Sequence, residues 1–534
     1  MMDKPNGTIL LGLDGATFAV LDAMIEDGRM PFLADFMASG VRAELASTIP
    51  PTTPPAWTSM MTGRSPANHG IFDFFRPETP GSHSLRLVNS RHITCETIGS
   101  LLTRYDLKSI NLNFPVMSPP IPVSGYSISG FVPWKYLRRA CHPPELMNEL
   151  KSIPGFDLKE MGHDFSMEEK VVVGCSADEA EDWIHCHTAK DRQWHTVLQH
   201  LMKNDPCHLT AIVFDSPDRL QHAFYRLMDP ACMEDPLSEE DRRIREVICD
   251  HFSKLDRLMA DIVASADLDA DVFIASDHGF GPSSDCFFLN SWLAERGYLE
   301  WAESSAAEND GGADFSMDAI KNHGHLLDWD RTTAYVFTPS SNGIRIKIAE
   351  EGSESGVRPE EYDNFVRKLS DELKEIKHPS KGIPVVEKLW TRDEAFSGAE
   401  LAPDLTLKLW DNGLVSTIKS DAIVKSRSQC AGVHYPRGVF IARGPKIQGS
   451  VELDALSILD VAPALLYSLG LPVPDDYEGS VPETAFKPEV LEADPVMMGD
   501  GTLSVDLSSE GEYEREKEEE EEIMKKLKEL GYLE

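Results

Sequence analysis

Seven side chains scattered along the sequence are of types that bind metal ions or act as nucleophiles. Three are carboxylates, three are imidazoles and one is a hydroxyl: Asp14, Thr53, Asp218, His222, Asp277, His278 and His434. Carboxylate oxygens and imidazole nitrogens bind divalent ions, and a threonine hydroxyl becomes a nucleophile when an ion or a base activates it. Their order, Asp, Thr, Asp-x-x-x-His, Asp-His, His, therefore indicates metal-assisted chemistry.

Each of these features, taken alone, has a simpler structural explanation. An aspartate before a glycine, such as Asp14, usually ends a strand at a turn. Thr53 stands just before a helix predicted to begin with proline, where it serves either as an N-cap or beside backbone N–H groups that bind an anion. Asp218 and His222 share one helical face, as many surface pairs do, and a loop histidine such as His434 is often only polar surface. The ordered combination of all these features favours metal-assisted chemistry over the separate structural explanations.

Three short apolar runs predict the strands that position these residues. The runs 8–14, 209–215 and 271–277 each end in an aspartate and are followed by helical patterns, which is typical of a mostly parallel α/β sheet. Open α/β sheets bind their ligands at the carboxyl ends of the strands. Gly279 and Gly281 permit the sharp turn that adjacent Asp277 and His278 would need to share an ion.

Apolar stripes at three- and four-residue spacing predict helices at about 55–62, 178–203, 240–266 and 361–376. We predict a catalytic core over residues 1–500, interrupted by cap-like insertions at about 76–205 and 300–400. Alternating patterns at 333–338 and 343–348 predict strands in the second insertion. Residues 505–534 form an acidic C-terminal tail that is predicted to be helical.

The composition excludes several classes of partner. The chain of 534 residues has a formal net charge of −38 and no basic patch, so we expect neither nucleic-acid polymers nor anionic membranes as partners. No apolar run approaches the roughly 20 residues of a membrane span. Nine cysteines without a CxxC pair, and an N-terminus without a signal peptide, predict a cytoplasmic protein with reduced thiols. A small anionic substrate stays compatible with this charge, because bound divalent ions reverse the local field.

The ordered set of seven residues resembles the alkaline phosphatase superfamily, and within it the type I phosphodiesterase and nucleotide pyrophosphatase family. The resemblance extends from Asp14 to about Gly479. It includes Asn68-His69-Gly70-Ile71 and the closing segments at 460–466 and 470–474. It implies an α/β fold with an alkaline-phosphatase-like, mostly parallel central sheet flanked by helices, with cap-like inserted segments.

The resemblance also implies a role for each residue. Asp218, His222 and His434 would hold one ion; Asp14, Asp277 and His278 would hold the other, with Thr53 as its further ligand. Two cations roughly 4 Å apart suit in-line phosphoryl transfer, so the expected activity is hydrolysis of phosphodiester or nucleotide pyrophosphate bonds through a covalent phosphothreonine. Mixed nitrogen and oxygen ligands favour zinc, with manganese or iron as alternatives.

The sequence departs from the family pattern at one position. Where the family's diesterases have an asparagine after His-Gly-Ile-x-Asp, this chain has Phe74. The missing amide leaves the choice between monoesters and diesters open. Asn113 is a candidate replacement donor for a phosphate oxygen.

Related activities remain as alternatives. A sulfatase would need a cysteine or serine at position 53 and an arginine where Trp57 stands, and a phosphoglycerate-mutase-like enzyme would need a serine nucleophile. Both are disfavoured by Thr53. A phosphomonoesterase or phosphotransferase of the same superfamily, or a non-catalytic metal- or phosphate-binding relative, stays open, as does the oligomeric state.

Overall fold

The computed structural model describes residues 7–79, 81–83, 85–162, 171, 175–266, 269–302, 326–350, 355–503 and 517–529. The described chain divides into two compact units. The first contains the described residues of Met1–Ile71, Asn89–Gly281 and His434–Glu514, and the second those of Phe72–Val88, Pro282–Val433 and Arg515–Glu534.

A ten-stranded sheet forms the centre of the first unit. Its strands are β1 (Thr8–Leu13), β2 (Val41–Ala46), β3 (Ser109–Leu112), β4 (Gly125–Ile128), β5 (Cys141–His142), β6 (Leu209–Phe214), β7 (Asp271–Ala275), β8 (Arg437–Arg443), β9 (Val451–Glu452) and β10 (Leu456–Ser457). They lie in the order β9-β2-β8-β7-β1-β6-β3-β4-β5, and β10 also pairs with β2. The pairs on both sides of β1 and β6 are parallel, whereas β8 runs antiparallel to β2 and β7. The prediction of a mostly parallel central sheet is confirmed.

Both faces of this sheet are covered, so its central strands are mostly apolar. In β1, Ile9, Leu11 and Leu13 pack into one hydrophobic cluster, whereas Leu10 packs into the cluster on the opposite face. Successive side chains of a strand point to opposite faces, and burial on both faces therefore requires a continuous apolar run.

Four helices of the first unit matter for the site: α1 (Thr53–Thr62), α2 (Ala177–Asn204), α3 (Ser216–Phe224) and α4 (Glu239–Ala264). Further helices are Phe18–Glu26, Pro31–Ser39, Pro66–His69, Ile98–Arg104, Leu146–Leu150, Val461–Ser468 and Pro488–Ala493. The first of the four begins two residues earlier than predicted, with Thr52 as its N-cap. Pro54 and Pro55 are accepted inside its first turn because the N–H groups there have no partner within the helix.

Among its described residues, the second unit contains a hairpin, most of two small sheets, four α-helices and short 3-10 helices. The hairpin joins Phe75–Pro77 to Leu85–Leu87, and a four-stranded sheet has the order Ala334–Tyr335, Gly343–Ile346, Leu405–Leu409 and Val386–Thr391. Strands Val415–Ser416, Gly279–Phe288 and Val424–Tyr435 form the other sheet. The helices are Leu289–Glu295, Tyr362–Lys374, Arg392–Ala395 and Lys517–Glu529.

The division into units differs from the predicted insertions. Residues 89–205, most of the first predicted insertion, belong to the first unit and supply β3, β4 and β5 to its sheet. These strands have only two to four residues, too few for the sequence to show a strand period. Of the predicted tail, residues 505–516 and 530–534 lie outside the described residues; in helix Lys517–Glu529, Ile523, Met524 and Leu527 are buried.

All nine cysteines lie in the described residues, and none of them forms a disulfide. Within the described ranges, no helix combines the length and the apolar character that crossing a bilayer requires.

Candidate active site

Asp14 directly follows β1, and two neighbouring elements fix its position. Its backbone N–H donates to Phe214 O at 3.0 Å, and Trp57 Nε1 on α1 donates to its Oδ2 at 3.3 Å. The other oxygen, Oδ1, is buried and has no hydrogen-bond partner among the described residues. Burial raises the pKa of Asp14 well above its usual value, and the carboxylates of Asp277 and Asp218 raise it further. A cation at Oδ1 would compensate for both effects.

Asp277 and His278 follow β7, and both are fully buried. Asp277 Oδ1 accepts a hydrogen bond from Gly15 N at 3.1 Å, while Oδ2 lies 3.2 Å from His278 Nε2 and accepts no hydrogen bond from the part of the chain that the structure describes. His278 Nδ1 donates to Gly279 O at 3.1 Å. In a neutral imidazole this leaves Nε2 with a lone pair. Burial lowers the pKa of His278 well below its usual value, and nearby His434 lowers it further.

The turn after His278 needs glycine because another strand lies against it. A Cβ atom at Gly279 would stand 1.9 Å from the carbonyl oxygen of Arg437, at the start of β8. This close approach brings His434, three residues before Arg437, beside His278. The two imidazole rings stack with their centroids 3.5 Å apart.

Asp218 and His222 lie one turn apart on α3, which starts directly after β6. His434 Nε2 is 3.2 Å from Asp218 Oδ1 and 3.0 Å from His222 Nε2, and His222 Nε2 is 3.5 Å from the same oxygen. His434 Nδ1 donates to Pro51 O at 2.9 Å, which again leaves Nε2 as the acceptor. Three potential ligand atoms thus converge on one point.

Thr53 is the first residue of α1 and is 3% exposed. Its Oγ1 lies 3.3 Å from His278 Nε2. Because the next two residues, Pro54 and Pro55, carry no N–H, the first three positions of this helix offer an anion only the N–H of Thr53. A backbone anion site here would therefore have a single N–H group from these three positions.

The structure brings all seven predicted residues together in the first unit. Two groups have ligand atoms within 4.8 Å of one another: Asp218 with His222 and His434, and Asp218 with Asp14 and His278. The resemblance implied Asp218 for one ion only, whereas the geometry puts its carboxylate in both groups. Asp277 stands beside His278 at the edge of the second group.

The hydrogen bonds around these groups match those of a metal centre. Metal-bound histidines usually donate their other N–H to a carbonyl or carboxylate, and metal-bound carboxylates keep one oxygen for a protein donor. His278 and His434 donate Nδ1–H to backbone carbonyls, while Asp14 and Asp277 each keep one oxygen on a protein N–H. The donor set fits divalent ions with mixed nitrogen and oxygen ligands.

Sequence reasoning missed two residues that hold the site in shape. Trp57 lies one helical turn after Thr53, a spacing that could have suggested a shared face of α1. Phe280 packs against all three imidazoles, with its ring centroid 4.8 Å from His222, 5.1 Å from His434 and 5.9 Å from His278. Nothing in the sequence distinguishes Phe280 from an ordinary strand residue.

Asn113 follows β3, and its backbone is left-handed, with φ 63°. Its Nδ2 donates to Val213 O at 2.8 Å, so one of its two amide hydrogens is used within the first unit. Its contact with a phosphate oxygen stays a prediction.

The chain is similar to solved structures at low sequence identity. Human ectonucleotide pyrophosphatase/phosphodiesterase 5 has 14% sequence identity and a TM-score of 0.51, with 89% of this chain and 97% of that chain covered. Phosphonoacetate hydrolase from Sinorhizobium meliloti, in complex with phosphonoformate, has 17% identity and a TM-score of 0.48, with coverages of 87% and 95%. No curated protein matches the chain.

The sequence profile of the type I phosphodiesterase / nucleotide pyrophosphatase family matches residues 8–434. This range begins at the first residue of β1 and ends at His434, so it spans all seven residues of the site. The chain therefore belongs to the type I phosphodiesterase / nucleotide pyrophosphatase family and is a hydrolytic enzyme.

Proposed function

We propose that this chain hydrolyses small phosphate esters, with phosphodiester or nucleotide pyrophosphate bonds as the main class, at a two-metal site with Thr53 as nucleophile. One observation carries the proposal. Two buried carboxylate oxygens, Asp14 Oδ1 and Asp277 Oδ2, accept no hydrogen bond from the described residues. Both lie close to His278 Nε2, at 3.7 and 3.2 Å, and this nitrogen is itself 3.3 Å from the Thr53 hydroxyl.

Asp218, His222 and His434 would hold one of the proposed ions. Asp14, Asp277 and His278, together with Thr53, would hold the other. The carboxylate of Asp218 belongs to both groups of potential ligands. Zinc suits this donor set best, with manganese and iron as alternatives. When bound, such ions lower the pKa of a coordinated hydroxyl and neutralise charge on the leaving oxygen.

The chain's own residues perform two displacements. In the first, Thr53 Oγ1 gives up its proton to water and forms a bond to phosphorus, while the bond from phosphorus to the leaving oxygen breaks and that oxygen takes up a proton. The product is a phosphothreonine at the start of α1, which still carries the second ester group when the substrate is a diester. In the second, a water oxygen attacks phosphorus and the bond to Thr53 breaks, which restores the hydroxyl. Trp57 and Gly15 hold the outer oxygens of Asp14 and Asp277 throughout, so the inner oxygens keep their direction.

Phe74 favours monoesters as a second candidate substrate class. Its ring is 4% exposed, and it stands where the family's diesterases have an amide. Both substrate classes are tested by measuring release of p-nitrophenol from its mono- and diesters. The protein is first loaded with zinc, manganese, iron or magnesium, and the Thr53→Ala variant serves as the blank. Turnover of monoesters alone would favour a phosphomonoesterase or phosphotransferase. No turnover with any ion would favour a non-catalytic metal- or phosphate-binding relative.

Trp57→Phe is expected to weaken binding of the proposed ions by about 10- to 100-fold, because Asp14 loses the N–H that orients its carboxylate. The ring stays apolar, so the fold should persist. Trp194→Phe is the matched control. This indole is also buried, but its N–H has no hydrogen-bond partner in the described part of the chain. Zinc titration against a chromogenic chelator gives both affinities, and equal affinities would contradict this role for Trp57.

Asn113→Gly is expected to lower kcat/KM by about 10- to 100-fold if the amide contacts a phosphate oxygen, as loss of a hydrogen bond to a charged group implies. Glycine is chosen because it accepts the left-handed backbone at this position. Steady-state kinetics on each accepted ester checks this. Unchanged turnover on all of them would exclude Asn113 from the substrate site.

A further inference from the structure

A buried polar cluster lies beside the first turn of α3, outside the seven residues of the site. Ser216 Oγ is 2.5 Å from Asp191 Oδ2 and 3.0 Å from His251 Nε2, and His251 Nδ1 is 2.9 Å from Thr188 Oγ1. Asp191, Ser216 and His251 are at most 2% exposed. These four residues, which we call the anchoring cluster, tie α3 to α2 and α4.

The hydrogen bonds of the anchoring cluster can run in one direction, from Asp191 through Ser216 and His251 to Thr188. In this arrangement Thr188 Oγ1 donates to Ile184 O at 3.1 Å, and its oxygen accepts from His251 Nδ1. Burial lowers the pKa of His251 to about 3, so the ring is neutral and its Nε2 accepts from Ser216. Ser216 has only one hydrogen. In this arrangement the hydrogen of the 2.5 Å contact between Ser216 and Asp191 comes from Asp191. The other oxygen of Asp191, Oδ1, is buried and has no hydrogen-bond partner among the described residues, which suits a neutral carboxyl group.

The neighbouring charges agree with a neutral Asp191. Lys190 Nζ contacts both oxygens of Asp215 at 2.7 and 2.6 Å, and Arg219 Nε lies 4.0 Å from Asp215 and 3.8 Å from Asp218. Two cations thus face two carboxylates before Asp191 is counted. An isolated charge in such a buried position is costly, and an acid there takes up a proton instead.

The other charged groups around Asp191 leave its pKa raised. Burial raises the pKa of Asp191 to about 8; the carboxylate of Asp215 adds to the rise, and the charge of Lys190 opposes it. On the far side of His251, the charges of Lys254 and His185 lower the pKa of that imidazole and so keep it neutral.

We propose that Asp191 is a positioning residue that keeps a proton in the folded chain, donates it to Ser216, and thereby anchors the start of α3. Ser216 stands two residues before Asp218 and six before His222, so its position sets the direction of both side chains. The role in metal binding rests on the proposed function; the protonation of Asp191 does not.

The first experiment measures protonation without any metal. An acid whose pKa is raised on folding stabilises the protein least at high pH: the contribution falls as pH rises from near 4 and levels off above about 8. Between pH 6 and pH 9, wild type should lose about a hundredfold in its folding equilibrium constant relative to Asp191→Asn. Asparagine cannot ionise but can still donate to Ser216. Denaturant unfolding of chelator-treated full-length protein gives the values.

Asp182→Asn is the matched control, because Asp182 lies on the same helix and is exposed. It should follow the pH dependence of wild type. If Asp191→Asn also follows wild type, or does not fold, Asp191 is an ordinary carboxylate and the proposal is overturned.

The second experiment tests positioning. Ser216→Ala is expected to lower zinc affinity by about 10- to 100-fold, whereas Asp191→Asn should keep it unchanged near pH 7. Wild-type affinity in Ser216→Ala, or a loss in Asp191→Asn, would refute the positioning role. If wild type itself binds no divalent ion, the proposed function fails, and the first experiment still decides the protonation of Asp191.

Discussion

Replacing Thr53 with alanine is expected to lower kcat by about 10⁴-fold or more, because the variant has no oxygen to bond to phosphorus. The fold should persist, since alanine is accepted at the first position of α1 and Thr53 Oγ1 has its contact in the site, with His278, at 3.3 Å. Steady-state turnover of the best ester from the screen, measured with fully metal-loaded protein, checks the loss.

Two further variants distinguish loss of the nucleophile from a local change in structure as the cause of lost activity. Thr53→Ser keeps a hydroxyl at the same atom and should retain activity within about tenfold of wild type. Thr52→Ala removes the adjacent hydroxyl, which makes no capping hydrogen bond to α1, and should leave kcat unchanged. Acid quenching during turnover should trap phosphate on the peptide that contains Thr53. Substantial activity in Thr53→Ala would exclude the covalent route.

Replacing Asp218 with asparagine is expected to have the second largest effect, because its carboxylate belongs to both groups of potential ligands. Losing this shared charge should weaken both proposed ions and reduce turnover by about 10³-fold, the scale of several kcal/mol of charge stabilisation by bound ions. Asparagine preserves the volume of the side chain. Metal content by mass spectrometry, measured at ion concentrations that saturate wild type, is the direct readout.

His222→Ala is the comparison for Asp218→Asn. His222 belongs to one group only, and its side chain is 12% exposed, more than that of Asp218. This variant should keep one ion per chain, compared with the two proposed for the wild type. Equal metal loss in both variants would show that the two groups are not separate sites, whereas full metal content in Asp218→Asn would remove Asp218 from the ligands.

Much of the fold could be predicted because its main signals are local. Continuous apolar runs placed β1, β6 and β7, and the three- and four-residue apolar spacing placed α1, α2 and α4 within two residues. Strands β3 and β4 were missed because four residues show no reliable period. The place of β3 in the sheet depends on pairing with β6, about 100 residues away, and β4 in turn pairs with β3.

The candidate site was predicted as a set of residues but not as a geometry. The roles of Trp57 and Phe280 depend on contacts across elements, and an apolar or aromatic residue in a helix or strand gives no sign of them. The same holds for Asp191 and His251, whose helical positions look ordinary until α2, α3 and α4 are packed together.

The sequence by itself determined which side chains meet: parallel strands end at one edge of a sheet, so Asp14, the start of α3 and Asp277 had to lie close together. Only the tertiary structure decided how they meet. It set which oxygen of Asp14 and Asp277 is held by a protein N–H, which nitrogen of His278 and His434 keeps a lone pair, and that Asp218 belongs to both groups. These properties arise from packing between segments that are distant in the sequence, because that packing determines which way each carboxylate oxygen and imidazole nitrogen points. Sequence patterns specify only the helices and strands.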